Sequence, residues 1–322
     1  MARSLSAARL GPGRAPQVGS TAHVRVPAST ANLGPGFDSI GMALDVWDDA
    51  RAEVVGDVLA VEALGNGAGE VPLDDSHLVV RSMRAAWESL DIATPVGLKL
   101  TYTGAVPHSR GMGSSATAIV AGVALATALA GHDLDDAATL AFVSDVASSI
   151  EGHPDNASAS VYGNVTVSWA DEFDGPDAPR DWRTAVLRPH PDLVPVVVVP
   201  VQRLSTATAR AALPESVPLA VAARNSGRAA LLAHAMVHDP SLLMAATVDA
   251  LHQEARRPAY PDSMQLVDAL RAAGVPAVIS GAGPTVLALA SPATVARVHE
   301  IAAGAQVLEL SVPARGVTPV SP

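Results

Sequence analysis

The sequence predicts an α+β fold rather than a doubly wound sheet, and three observations carry that expectation. Strand-type and helix-type apolar patterns interleave in both halves of the 322-residue chain without a regular βαβ period. Hydrophobic residues make up 49% and aromatics only 3%, so the core must be mostly Val, Leu, Ile and Ala. An acidic, Gly- and Pro-rich segment, ADEFDGPDAPRD over 170–181, separates two apolar stretches and is the best boundary candidate. The length suits two domains of ordinary size. The expected division is a disordered tail over 1–20, one domain over 21–178 and a second over 179–322.

Order is expected to begin near His23, where HVRVPAST reads as a strand running into a loop. ARAEVV (50–55) and VLAVEAL (58–64) read as further strands. Over 76–90, Leu78, Val79, Met83, Ala86 and Trp87 fall at helical spacing. An alternating strand follows over 96–102. The stretch 116–130 is small and apolar all round, the mark of a helix buried on most faces. Asp133, Asp135 and Asp136 suit the start of a helix over 134–150. Pro154 ends it, because a proline disfavours helix at the preceding residue. Strands are expected at 194–199 and 277–279, with helices between them.

Composition excludes several classes. The net charge is −11, from 32 acids against 21 bases, and Lys99 is the only lysine. No basic stripe exists, which argues against a nucleic-acid partner. No cysteine occurs, so disulfides, thiol catalysis and Cys-ligated zinc are excluded, and a reducing cytoplasm fits. The first twenty residues lack a signal-peptide core. The longest apolar run, LVPVVVVPV over 193–201, is broken by prolines and too short to span a membrane. A cytoplasmic protein with no membrane partner is expected.

Three glycine clusters carry the candidate chemistry. STANLGPGFDSIG (29–41) combines Gly34, Gly36 and Gly41 with the polar handles Asn32 and Asp38. It reads equally as a solvated loop with Asx turns. RGMGSSAT (110–117) matches G-x-G-x-x-A, but a dinucleotide fingerprint comes directly off a strand and carries its acid at the end of the next. Here GAVPHSR intervenes, and Asp133 follows an alanine-rich helix instead. A Walker A loop is excluded for want of its lysine, and no G-x-S-x-G elbow surrounds the serines. Two readings of this loop stay open. It is a capped buried helix, or a helix N-terminus whose free N–H groups cradle phosphate while Ser114 and Ser115 offer hydroxyls to phosphate or Mg²⁺. SGAGPTVLAL (280–289) places a glycine pair between strands, which lets a backbone or a ligand come close.

EGHPDN (151–156) packs an acid, an imidazole, a second acid and an amide behind a helix. Pro154 spoils regular metal-ligand spacing. One carboxylate with a serine hydroxyl and substrate phosphates is nonetheless a common Mg²⁺ arrangement, which makes Glu151 the candidate and Asp145 the reserve. His153 is a candidate base or a packing residue.

The order PASTANLGPGFDSIGMALD, VPHSRGMGSSATA, EGHPDNASASVYGN, SGAGPTVLAL resembles the GHMP family of small-molecule kinases, over about His23 to Leu289. Within that family it resembles the branch that phosphorylates L-homoserine. The resemblance implies a ribosomal-protein-like N-terminal α+β domain with a left-handed βαβ unit and a ferredoxin-like C-terminal domain. It also implies ATP and Mg²⁺, transfer to the L-homoserine hydroxyl on the route to threonine, and leaves a homodimer open.

Site residues follow by position. Pro107, His108, Ser109, Arg110, Gly111, Met112, Gly113, Ser114, Ser115, Ala116 and Thr117 match the phosphate loop. Ser115 and Glu151 would serve Mg²⁺. Asn32 and Asp38 would hold the substrate ammonium, with Asn156 near the reacting hydroxyl and His153 beside it. STATARAALP and LHQEARRPAYP would supply Thr206 and Arg210, then Arg256, with both arginines on the carboxylate; Arg257 competes with Arg256. Met112 replaces a usual leucine, and His77 stands where an adenine-side asparagine is often found. Asn156 is expected to orient the hydroxyl without a side-chain base, and His153 is the rival base.

Overall fold

The computed structural model describes residues 4–5, 10–11, 13–170, 181–204 and 206–320. The chain forms β1 (Ser4–Leu5), β2 (Thr21–Ala31), β3 (Ile40–Val55), β4 (Leu59–Gly65), α1 (Leu78–Ser89) and β5 (Gly97–Gly104). Helices α2 (Ser114–Leu129), α3 (Ala137–Glu151) and α4 (Asp155–Tyr162) precede β6 (Val165–Ala170), β7 (Trp182–Leu187) and β8 (Val194–Val199). A helical stretch follows: α5 (Thr206–Ala211), α6 (Leu219–Val237), α7 (Leu243–Ala246), α8 (Gln253–Arg256) and α9 (Pro261–Ala272). Strands β9 (Ala277–Ile279) and β10 (Val286–Ala290), helix α10 (Val295–Ile301), and strands β11 (Gln306–Glu309) and β12 (Thr318–Pro319) complete it.

Strand β3 is the spine of an eight-stranded sheet. It pairs with β2 along one edge and with β6 and then β5 along the other. The β2–β3 register shifts between Pro27 and Ala28, where a residue without an N–H cannot complete the ladder. Strands β4 and β5 pair in parallel with α1 between them, the βαβ unit of this domain. Helix α2 is buried nearly all round, as its composition predicts. Gly122 lets α1 approach, because a Cβ there would collide with the Val79 carbonyl. Trp87 Nε1 donates to the Ala126 carbonyl at 3.1 Å and fixes the pair. Asp136 caps α3, accepting the N–H groups of Ala138 and Thr139.

The second sheet is antiparallel, ordered β11-β8-β10-β9. Its βαββαβ element order is ferredoxin-like. Period-two alternation along β8 sends Val196 and Val198 into one core, beneath α9 and α10. Val197 and Val199 enter another, shared with Leu33, Met42 and Met112 of the first half. The halves are thus joined by a packed apolar layer, and the glycine loops lie at its edge.

Two boundaries differ from expectation. The split expected at 178/179 lies outside the described residues, but β7 beyond it still pairs with β6, so the chain joins the second sheet only at β8. β12 then returns to β2. The tail expected to be disordered over 1–20 makes contacts at its described positions. β1 pairs with β7, Leu10 packs on the first core, and the Arg14 N–H donates to the Ala130 carbonyl at 2.8 Å. Among the described residues no helix is long and apolar enough to cross a membrane.

Candidate active site

The three glycine clusters and the EGHPDN turn converge on one cleft of about 200 Å³ between the two halves. The chain after β2 turns sharply: Asn32, Leu33, Gly34 and Asp38 all have positive φ. The buried Asn32 holds this turn, its Oδ1 accepting the Asp38 N–H and its Nδ2 donating to the Gly281 carbonyl, both at 3.0 Å. Asn32 therefore lines the cleft as a brace between two glycine loops. Asn225 of α6 anchors the same turn from behind, donating to the Pro35 carbonyl at 2.8 Å.

The loop before α2 is held by its backbone. Gly113, at φ 74°, is the N-cap of α2 and supplies no side-chain cap, so the first-turn N–H groups of α2 are left for a ligand. Arg110 binds the Pro200 and Val201 carbonyls beyond β8, tying the loop to the second sheet. A Cβ on Gly111 would collide with the Ser280 carbonyl, so two glycine loops touch here. Not every expected loop residue reaches the cleft. Pro107 has no N–H to donate. Met112 and Ala116 are fully buried packing residues. The Thr117 hydroxyl is spent on Asp48, a buried carboxylate that also accepts from Tyr102 OH and from the Ala105 and Val106 N–H groups.

Glu151, the last residue of α3, faces the first turn of α2 and accepts from the Ser115 hydroxyl at 2.6 Å. Its Oε2 is shielded from solvent and has no partner among the described residues. Burial pushes its pKa up, against the opposing pull of His153 and Ser115. Asp145, the reserve candidate, accepts the Trp182 N–H at 2.8 Å and does not line the cleft.

Next to this pair sits a charge cluster. His153 Nδ1 lies 2.8 Å from Asp155 Oδ1, with the His153 side chain 12% exposed. Burial alone would lower the imidazole pKa, but the charge and hydrogen bond of Asp155, with Glu151 and Asp38 behind, raise it to about 9. Asp155 thus favours the protonated form of the imidazole. Asn156 accepts from the Ser29 hydroxyl at 3.1 Å through Oδ1, and no described residue takes its Nδ2. Arg210, from α5, grips Asp38 with two bonds of 2.9 and 3.0 Å. Asp38, His153 and Asp155 lie close enough to share a cation, yet the arginine on Asp38 and the charge on His153 suit an ionic substrate better.

The two adjacent arginines lie in different surroundings. Arg256 is 2% exposed and lines the cleft. Arg257 points away into ion pairs with Glu254 and Asp268. Thr206 opens α5, but its side chain lies outside the described residues. A second, apolar slot of about 160 Å³ adjoins the loop, lined by Val71, Leu78, Tyr102 and Val106 and sharing Ser114 and Ser115 with the cleft. His77 also lines it, with Nδ1 committed to the Val79 N–H as the cap of α1.

Several cleft residues were not singled out by sequence. Phe37 and Asp155 sat inside quoted motifs but carried no chemical pattern of their own. Ser29 acts only through Asn156, 127 positions away, and no local signal could reveal it. Gly281 and Gly283, a weak signal alone, become cleft walls through the fold.

Comparison with known proteins agrees with this geometry. The model of the GHMP kinases N terminal domain matches residues 77–164, and that of the GHMP kinases C terminal domain matches 222–305. A homoserine kinase of Streptomyces coelicolor is 47% identical over 282 residues, covering 87% of each chain. One of Corynebacterium jeikeium is 45% identical, covering 92% of this chain and 95% of the relative. The crystal structure of homoserine kinase from Cytophaga hutchinsonii superposes with a TM-score of 0.79 at 25% identity, covering 93% of this chain and 97% of that one. A mevalonate kinase structure, at 13% identity with a TM-score of 0.63 over 90% of this chain and 98% of its own, shares the fold. With both domain models matched in order and such relatives aligned along nearly their whole length, the chain belongs to the GHMP kinases and, within them, to the homoserine kinase family.

Proposed function

We propose that this chain transfers the γ-phosphoryl group of ATP to the side-chain hydroxyl of L-homoserine, giving ADP and O-phospho-L-homoserine. One observation carries the reading. An uncapped helix N-terminus, a Ser–Glu pair, and an acid paired with Arg210 alongside a second arginine, Arg256, share one cleft. The first can hold phosphate, the second a cation, and the third a zwitterion.

The residues fit these roles. Free N–H groups and the positive end of the α2 dipole suit the phosphate oxygens, and the apolar slot beside them suits a base. The shielded, unpartnered Oε2 of Glu151 beside the Ser115 hydroxyl offers hard oxygen ligands, so these two residues would hold Mg²⁺. Bound there, the ion would neutralise charge on the transferring group. Arg210 and Arg256 would take the amino-acid carboxylate, a task for which planar guanidinium is suited. Asp38, released from Arg210, would take the ammonium group.

Phosphoryl transfer depends mainly on alignment and charge stabilisation. Asn156, its Oδ1 fixed by Ser29, has an amide nitrogen to offer the acceptor oxygen. Asp155 holds the His153 pKa up at about 9, which makes the imidazole a poor base near neutral pH. The hydroxyl proton would then leave to a phosphate oxygen, with no side-chain base required. The deciding assay is ADP release with and without L-homoserine, with L-serine and L-threonine as competing acceptors. Tight ATP binding without homoserine-dependent turnover would defeat the proposal.

A further inference from the structure

The carboxylate end of the cleft contains a buried imidazole to which the reaction assigns no task. His252 precedes α8 and is 1% exposed. Its Nε2 lies 2.9 Å from the Gly34 carbonyl, which can only accept. Its Nδ1 lies 3.2 Å from Arg256 Nη1, which can only donate. The two partners fix one tautomer, with the proton on Nε2 and a lone pair on Nδ1. Arg256 is held from two further sides: Nε donates to the Ala209 carbonyl at 2.9 Å, and the guanidinium carbon lies 5.7 Å from the Phe37 ring centroid. Phe37 also meets the His252 ring at 5.2 Å and Arg210 at 5.7 Å, so one aromatic ring serves both arginines. The Gly34 carbonyl is itself immobilised: Gly34 has φ 89°, and a Cβ there would meet the Thr247 carbonyl at 2.7 Å.

We propose that His252 is a positioning residue for Arg256, linking it to the Gly34 carbonyl so that the guanidinium is aimed at the carboxylate of the acceptor. The proposal rests on the reading of Arg256 as a carboxylate partner. His252 touches no reacting atom. A guanidinium on a long flexible stem loses entropy when it binds an anion, and an acceptor that pre-orients it removes part of that loss.

The link works only while the imidazole is neutral. Burial lowers the His252 pKa, and Arg256 on its own helix lowers it further. Asp249 from the preceding loop, the Gly34 carbonyl and Asp38 of the glycine loop oppose them. Asp249 accepts the N–H groups of Leu251, His252 and Gln253, and its Oδ1 lies 3.7 Å from His252 Nε2, where it supports the proton on that nitrogen. Arg210 reaches the ring only across Phe37, and Tyr260 acts on Arg256. In acid, a protonated ring would turn a donor toward a donor and unseat Arg256.

The test compares L-homoserine with 3-aminopropan-1-ol, which lacks the carboxylate. His252→Gln keeps a donor for Gly34 but no acceptor at the Nδ1 position, whereas the Oδ1 of His252→Asn can occupy it. His252→Ala and His252→Gln should raise KM for L-homoserine roughly tenfold to a hundredfold, the weight of a hydrogen bond to a charged group. KM for ATP and turnover of 3-aminopropan-1-ol should stay unchanged, and His252→Asn should recover most of the loss. The wild-type KM for L-homoserine should rise in acid, and that rise should vanish in His252→Asn. Equal impairment of both acceptors, or no rescue by asparagine in a folded variant, overturns the proposal. Arg256→Ala tells the two failures apart. If it leaves the preference for L-homoserine intact, the carboxylate reading fails and the proposal with it. If it abolishes the preference while every His252 variant keeps it, only the role of His252 fails.

Discussion

A histidine acts as a base only when neutral and as a fixed cation only when protonated, so titrating His153 separates the two roles. Its imidazole pKa stands at about 9 in the fold, against about 6.5 for an unperturbed histidine. The difference of about 2.5 units corresponds to about 3 kcal/mol at 1.36 kcal/mol per unit. Because the folded pKa is the raised one, this stability is fully present below about pH 6.5 and is lost as pH climbs through about 9. Across that window the folded chain binds one proton more than the unfolded chain, so stability falls by about 1.4 kcal/mol per pH unit. Urea unfolding of the wild type and of His153→Gln from about pH 6 to about pH 10 isolates the contribution, since the glutamine variant lacks that slope. In kinetics, kcat should hold below neutral pH and fall only above about 9. An imidazole pKa at or below its ordinary value by NMR would refute the reasoning. So would a folded His153→Ala variant that lost about four orders of magnitude in kcat, a loss at the upper end of what a general base contributes.

Other outcomes follow from the same geometry. Glu151→Gln keeps the shape but removes the charge opposite Ser115, so kcat should fall about a hundredfold or more and the Mg²⁺ requirement should rise; unchanged Mg²⁺ dependence would exclude Glu151 as the ligand. Gly113→Ala places a Cβ at φ 74° against the Ser29 hydroxyl, and should lower unfolding free energy by about 1–3 kcal/mol by calorimetry. Arg256→Ala should raise KM for L-homoserine at least about thirtyfold, while Arg257→Ala, whose partners are Glu254 and Asp268, should leave steady-state kinetics as they are. Asp48→Asn would turn an amide donor toward groups that already donate, with a loss of about 2–4 kcal/mol in stability and a higher KM for ATP than for the acceptor.

The local elements and the segments that carry chemistry were legible in the order of the residues. Helix α2 was legible because an apolar, small-residue stretch has no solvent-facing side, and α3 because acids gather at its start, although the helix begins at Ala137 with Asp136 as its cap rather than at 134. The glycine clusters were legible because only glycine accepts such turns cheaply. Their relation to one another was not, since contacts such as Ser29 with Asn156 and Asn32 with Gly281 join positions more than a hundred residues apart. Tertiary structure alone decided that Glu151 rather than Asp145 faces Ser115, because the end of α3 lies against the start of α2 while Asp145 is spent on β7. It decided that Arg256 enters the cleft and Arg257 leaves it, since Arg256 ends α8 while Arg257 caps it and starts the next turn, on a different face. It also showed that the Met112 and Thr117 side chains pack beneath the loop rather than into the cleft. A pattern specifies which groups are present, but burial and partners set their charge, and these arise only when distant segments meet.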